Sequence, residues 1–188
     1  AQDALAYHNR FQAVPAETAR RPRRPEPERR SGVGTAIATS APGEEIHLDE
    51  FGRIRMRMRW DRRNAADEKS SAASRVLQPE LSGSIFNPRV GWEELVAVAD
   101  PRAEAPVVLG RLYNGAQRPP VGLPGGKVES HFGTWSTPAG SKGNFLKIVD
   151  TAGGEQLLEQ ATKDMNAQVE HDSVVKVDVD DERSVEAD

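Results

Sequence analysis

Histidines and carboxylates are the first residues to test for chemistry, because they bind metals and carry protons. No histidine is paired with another ligand at the i, i+2 or i, i+4 spacing of a recognised metal pattern. Carboxylates are abundant, but no hydrolase, metalloprotease or phosphate-loop motif accompanies them. We predict no enzyme activity: no catalytic residue, no cofactor and no metal ligand. The histidines are His8, His47, His131 and His171.

A row of alternating arginines could instead bind nucleic acid. A period of two sends alternate side chains of a strand to opposite faces. We expect the apolar set to enter a barrel core, and the arginines to pair with acids on neighbouring strands or on an adjacent protomer. Single-strand binders need exposed aromatics beside the basic groove, and Trp60 is expected inside. The alternating residues are Arg53, Arg55, Arg57 and Arg59 with Ile54, Met56, Met58 and Trp60.

Short strands and turns must position these residues. Asp49 and Gly52 bracket a turn, so residues 44–62 are predicted to form a β-hairpin. Further strands are predicted at 33–38, 75–78, 94–98 and 107–113. The hairpin and these strands suit a small antiparallel barrel of the OB type. The predicted barrel core is completed by Val96, Val98 and Val108.

The second half of the chain changes character. Residues 144–150 are predicted to form a strand, and Val175, Val177 and Val179 alternate with charged residues as in a half-buried strand. Intrinsic propensity alone favours a helix over 155–165. There is no cysteine, which excludes disulfides and a cysteine nucleophile. No apolar run approaches the roughly 20 residues of a membrane-spanning helix.

Several motifs resemble the VgrG-type spike proteins of type VI secretion and the spikes of contractile phage tails. The segment GEEIHLDEFGRIRMRMRWDRR is similar to the opening of their OB-like barrel, and NPRVGWEELVAV and VVLGRLYNG to later barrel strands. The stretch RPPVGLPGGK resembles the proline-rich neck. Residues 144–172 resemble the start of the triple-stranded β-helix. Departures are the missing aromatic at Ser74–Leu77 and two extra residues in the corner between Asp100 and Pro106.

The resemblance implies an all-β protein with four parts. Residues 1–31 would be a linker from a hub domain that this chain lacks, 32–115 the barrel, 116–126 the neck, and 127–188 the start of an intertwined trimeric needle with an acidic tail. It also favours a strand over a helix at 155–165. The expected needle core is Leu146, Ile148, Leu157, Val175, Val177 and Val179.

Composition also favours a trimer. Aromatic residues make up only 5% of the chain, and each short strand offers two or three inward residues. Neighbouring chains would have to complete the core, as in other repetitive β-structures.

The function implied by the resemblance is mechanical. A homotrimer would puncture membranes at the tip of a contractile injection machine and carry effectors. Its partners would be two copies of itself, a tube protein below, a tip protein or effector above, a target membrane briefly, and no nucleic acid. It would assemble in the bacterial cytoplasm and then be secreted or delivered into a target cell. The alternatives are a phage baseplate or tail spike and, more distantly, an OB-fold protein that binds single-stranded nucleic acid.

Overall fold

The structure, a computed structural model, describes residues 8–18, 32–79, 83–98, 106–138, 140 and 142–185. These residues form strands and no helix, which confirms the all-β prediction. None of them therefore belongs to a helix that could cross a membrane. The strands are β1 Gly32–Thr39, β2 Arg55–Met58, β3 Arg75–Val76, β4 Glu93–Val98, β5 Val107–Leu112, β6 Glu129–Gly133, β7 Phe145–Val149 and β8 Gln156–Gln160.

The first five strands form a barrel. Their order in the sheet is β2-β1-β4-β5-β3. An antiparallel bridge joins Ile54, next to β2, to Ser74, next to β3, and so links the two edges. The pairs β1–β2, β1–β4 and β4–β5 are antiparallel, whereas β3 and β5 are parallel. The barrel is therefore OB-like in connectivity, but it is not purely antiparallel as expected.

Small and medium apolar side chains fill the barrel. Ala36 and Ala38 on β1 lie opposite Met58 and Met56 on β2, and directly opposed residues share a face of a sheet. Met58 and Val98 are half-buried, and Met58 packs against the buried cluster. The cluster consists of Ala36, Ala38, Ile54, Met56, Val96 and Val108.

The predicted hairpin is only half right. The turn is present: Asp49 accepts hydrogen bonds from the backbone N–H groups of Phe51 and Arg53, and Gly52 has a φ of 69°. The segment before the turn is not a strand, however, and β2 pairs instead with β1. The local turn signal identified the bend, but it could not identify the strand that accepts the hydrogen bonds of β2.

Trp60 corrects the predicted core. Its side chain is 77% exposed, whereas Ile54 and Met56 are buried. Strand β2 ends at Met58, and a turn follows in which the Asp61 N–H donates to the Met58 carbonyl. The alternation between the two faces therefore stops before Trp60.

The last three strands form a separate antiparallel sheet in the order β6-β7-β8. Strand β8 occupies the stretch where propensity favours a helix, so the strand implied by the resemblance is confirmed. Strand β6 was not predicted. No strand is assigned to residues 161–185, and Val175, Val177 and Val179 therefore lack the predicted strand in this single chain. Most of the proposed linker and the corner at 100–105 lie outside the described residues.

Candidate functional site

One face of the three-stranded sheet is apolar and open. Strand register places Phe132 opposite Leu146, and Ile148 opposite Leu157, so these four side chains share one face. We call Phe132, Leu146, Ile148 and Leu157 the apolar face. Leu157 is 65% exposed, Phe132 58% and Ile148 39%. Ser130 and Glu159 are the polar residues on the same face.

The opposite face of the sheet is more polar. The same register places on it the polar residues Glu129, His131, Lys147, Gln156 and Gln160 and the half-buried apolar residues Phe145, Val149 and Leu158. Lys147 lies 4.0 Å from the Glu129 carboxylate, and the rings of His131 and Phe145 are 5.0 Å apart. The opposite face therefore mixes polar and apolar residues, whereas four of the six strand residues on the apolar face are apolar.

The apolar face brings together three of the predicted needle residues, Leu146, Ile148 and Leu157. The other three, Val175, Val177 and Val179, lie downstream and are 78%, 48% and 87% exposed. Phe132 was missed, because β6 mixes polar residues with a single large apolar one. Its position opposite Leu146 would have identified it, but strand register is not visible in the sequence.

Arg89 joins the barrel to the three-stranded sheet. Its guanidinium lies 3.3 Å from the Glu45 carboxylate. The same group donates to the Trp135 carbonyl and, at 3.0 Å, to the Thr137 hydroxyl oxygen. The Phe86 and Phe132 rings meet edge to face with their centres 5.2 Å apart. These contacts orient the sheet relative to the barrel.

The arginine row is paired mostly within its own chain. Arg59 lies 2.8 Å from Glu93, and Arg53 lies 2.6 Å from Asp49. Arg55 and Arg57 donate to backbone carbonyls. Hydrogen bonds from Asn114 and then from Arg59 lower the pKa of Glu93. Arg53 and Arg59 are therefore neutralised within the chain, whereas Arg55 and Arg57 have no salt bridge among the described residues.

Glu94 is a buried carboxylate that the sequence patterns did not reveal. It is 1% exposed, and its Oε1 atom has no hydrogen-bond partner among the described residues. Burial raises its pKa to about 7, which Arg111 opposes only in part. Arg111 lies opposite Glu94 in the strand register. Glu94 therefore places an ionisable group in the barrel interior.

The described residues contain no group of three or more metal-ligating side chains. His47 lies 2.5 Å from Glu44 and His171 lies 2.8 Å from Asp172. Each of these two histidines thus has a carboxylate neighbour.

The comparisons with known proteins agree with this architecture. Residues 130–188 match the bacteriophage T4 gp5 C-terminal trimerisation domain. This match covers the apolar face and the exposed valines, and it lies in the last third of the chain.

Relatives extend the match to the barrel. The chain is 39% identical over 185 residues to the type VI secretion system spike protein VgrG4b of Pseudomonas aeruginosa, covering 96% of this chain and 23% of that protein. It is 37% identical to VgrG5 of the same organism, covering 97% and 24%. It is 36% identical to VgrG3 of Vibrio cholerae, covering 90% and 17%. The chain belongs to the VgrG-type spike family, and it spans about a quarter or less of the length of these relatives.

Proposed function

We propose that this protein is a structural, non-enzymatic component of a type VI secretion spike and acts as a homotrimer. The observation that carries the proposal is the open apolar face, which lies inside the region matching a trimerisation domain. Burying a large apolar side chain completely contributes roughly 1.5–3 kcal/mol. Closing the apolar faces of three chains together therefore supplies a large association free energy, and closed symmetry gives a compact rod.

The barrel and the three-stranded sheet would have different roles. The barrel, with its own buried core, would form a stable base, and the three-stranded sheet would begin a slender needle. We expect a tube protein below the barrel and a tip protein or effector beyond the needle. We expect contact with a target membrane to be transient, and delivery to follow assembly in the cytoplasm. The four predicted segments, 1–31, 32–115, 116–126 and 127–188, remain our proposal for its domain organisation.

Charge placed on the apolar face tests the trimer. Leu157→Glu puts a carboxylate where three chains would meet, and it should convert the trimer to monomers in light scattering. Gln156→Glu is the matched control, because the neighbouring residue points to the opposite face. It should leave the mass unchanged. Equal masses for both variants and the parent chain would show that association does not use this face.

A second candidate function is a phage baseplate or tail spike, and the match to the gp5 trimerisation domain favours it specifically. The two functions share the same trimer and differ in the machine that carries it. The genes next to the coding sequence discriminate between them: secretion-machine components support the first, and phage structural genes support the second.

A further inference from the structure

A cleft of about 570 Å³ lies between the barrel and the three-stranded sheet. This volume falls in the usual range of roughly 300–1,000 Å³ for binding pockets. Barrel residues line one wall and sheet residues the other. The described residues that line it include four cations and no carboxylate. The cations are Arg89, Arg111, Arg118 and Lys142.

Two of these cations are held in place by the protein itself. Arg89 forms an ion pair with Glu45 and donates a hydrogen bond to the Trp135 carbonyl, which lies between β6 and β7. Arg111 stacks on two aromatic rings, 3.6 Å from the centre of Trp92 and 4.5 Å from that of Tyr113. Such stacking fixes a guanidinium while leaving its charge available. The fixed part of the cleft therefore combines the Arg111 guanidinium with aromatic surface, whereas the charge of Arg89 is balanced by Glu45.

The other two cations are available to a partner. Arg118, on the segment after β5, and Lys142, before β7, are exposed and have no ion pair among the described residues. Exposed aromatic surface lies beside them, since Tyr113 is 48% exposed and Trp135 45%. A complementary ligand would carry carboxylates next to apolar or aromatic groups.

The sheet wall of the cleft lies on the face opposite the apolar face, although Phe86, which also lines the cleft, contacts Phe132 of the apolar face. His131, Phe145 and Gln160 line it, and all three lie on the opposite face of the sheet. If three chains associate through the apolar face, as proposed above, the sheet wall of the cleft faces away from the surface on which they meet.

We propose that this cleft docks an acidic peptide segment of a partner protein, with aromatic or aliphatic side chains between its acids. This inference rests on the proposed trimer for the cleft's accessibility. Charge complementarity favours a peptide over nucleic acid. A nucleic acid strand needs a basic track along its backbone, whereas the cations here are confined to a compact cleft, on a chain with a net charge of −4.

The test measures binding of a short fluorescein-labelled peptide of alternating Asp and Phe to the full chain by fluorescence anisotropy. The parent protein should bind it, and a peptide with Asn in place of Asp should bind poorly. The double variant Arg118→Glu/Lys142→Glu should weaken binding about tenfold or more, because two attractions become repulsions. The matched control is Arg62→Glu/Arg63→Glu, an equal charge change outside the cleft, which should bind like the parent.

Three results would overturn the proposal. One is equal weakening by the cleft variant and the control. Another is displacement of the peptide by single-stranded oligo-dT at lower concentration than by unlabelled peptide, which would make the cleft a nucleic-acid site. The third is no binding to a protein that light scattering shows to be trimeric, which would mean that the cleft is closed in the assembly. A monomeric mass would contradict the proposed trimer separately.

Discussion

The barrel and the three-stranded sheet are built from the same kind of short strand, yet they treat apolar side chains differently. Among the described residues, every apolar side chain in the buried cluster belongs to the barrel. On the sheet, Phe132 and Leu157 are more than half exposed. The barrel strands meet edge to edge and enclose an interior, whereas β6 and β8 remain the two edges of an open sheet.

The two regions differ because the barrel is closed within one chain and the sheet is open. A barrel closed within one chain can bury its own core, and its stability should not depend on protein concentration. An open sheet with one apolar face needs neighbours, so its stability should depend on concentration. The two regions of this protein should therefore respond differently to the same kind of substitution.

Removing a barrel core side chain should have the largest effect. Met56 is completely buried, and Met56→Ala should lower the free energy of unfolding by about 3–4 kcal/mol. Denaturant titration followed by tryptophan fluorescence measures the loss, which should be the same at every protein concentration. Leu157→Ala is the comparison: it should shift the concentration at which the assembly dissociates. If the stability loss of Met56→Ala depended on protein concentration, the barrel would not be stable independently of assembly.

The buried carboxylate should make the barrel sensitive to pH. Burial raises the pKa of Glu94 from 4.5 in the unfolded chain to about 7 in the folded protein. Between these two pH values, Glu94 therefore holds a proton in the folded state that it has lost in the unfolded state. Stability should be highest below about pH 4.5 as far as this group is concerned, and it should fall by about 3 kcal/mol as pH rises through 7.

Glu94→Gln checks this pH dependence, because an amide of the same shape cannot ionise. The free energy of unfolding of the variant should not decline between pH 4.5 and about 7. Above about pH 7 the variant should be more stable than the parent protein. Chemical denaturation across this pH range measures both. A parent-like decline in the variant would assign the effect to other groups.

The sequence predicted much of the barrel. Alternation placed Ile54 and Met56 in the core, and turn chemistry located Asp49 and Gly52. It could not show that β2 pairs with β1, that β3 runs parallel to β5, or that the strand ends before Trp60. These features depend on contacts between distant segments.

The sequence also predicted part of the candidate site. Periodicity and resemblance identified Leu146, Ile148 and Leu157, which share one face. Phe132 was missed because register decides which face it joins. The cleft was missed because its walls come from barrel, neck and sheet residues that are far apart in sequence, such as Arg89, Arg118 and Lys142.

The junction between the two regions should be weakened by Arg89→Ala. The change removes the ion pair with Glu45 and the bonds to Trp135 and Thr137, and it should cost about 2 kcal/mol. Hydrogen exchange should accelerate in peptides covering 134–138 and stay unchanged in β1. Arg62→Ala, at an exposed position, is the control. Faster exchange in β1 as well would mean that the barrel depends on the junction.

The smallest expected effect concerns the turn before β2. Gly52 has a φ of 69°, in the left-handed region, where a side chain costs about 1 kcal/mol. Gly52→Ala should destabilise the barrel by that amount in denaturant titration. Gly32→Ala, at an open and exposed position without positive φ, should have little effect. Equal losses for both would remove the special role of the turn.

In the proposed trimer, the apolar face of the sheet is the surface on which three chains meet. Light scattering on the purified chain tests it most directly. We predict a mass three times the 20.5 kDa of one chain, which should fall to one chain in Leu157→Glu and persist in Gln156→Glu. A parent chain that is monomeric at high concentration, with a folded barrel, would rule out association through this face.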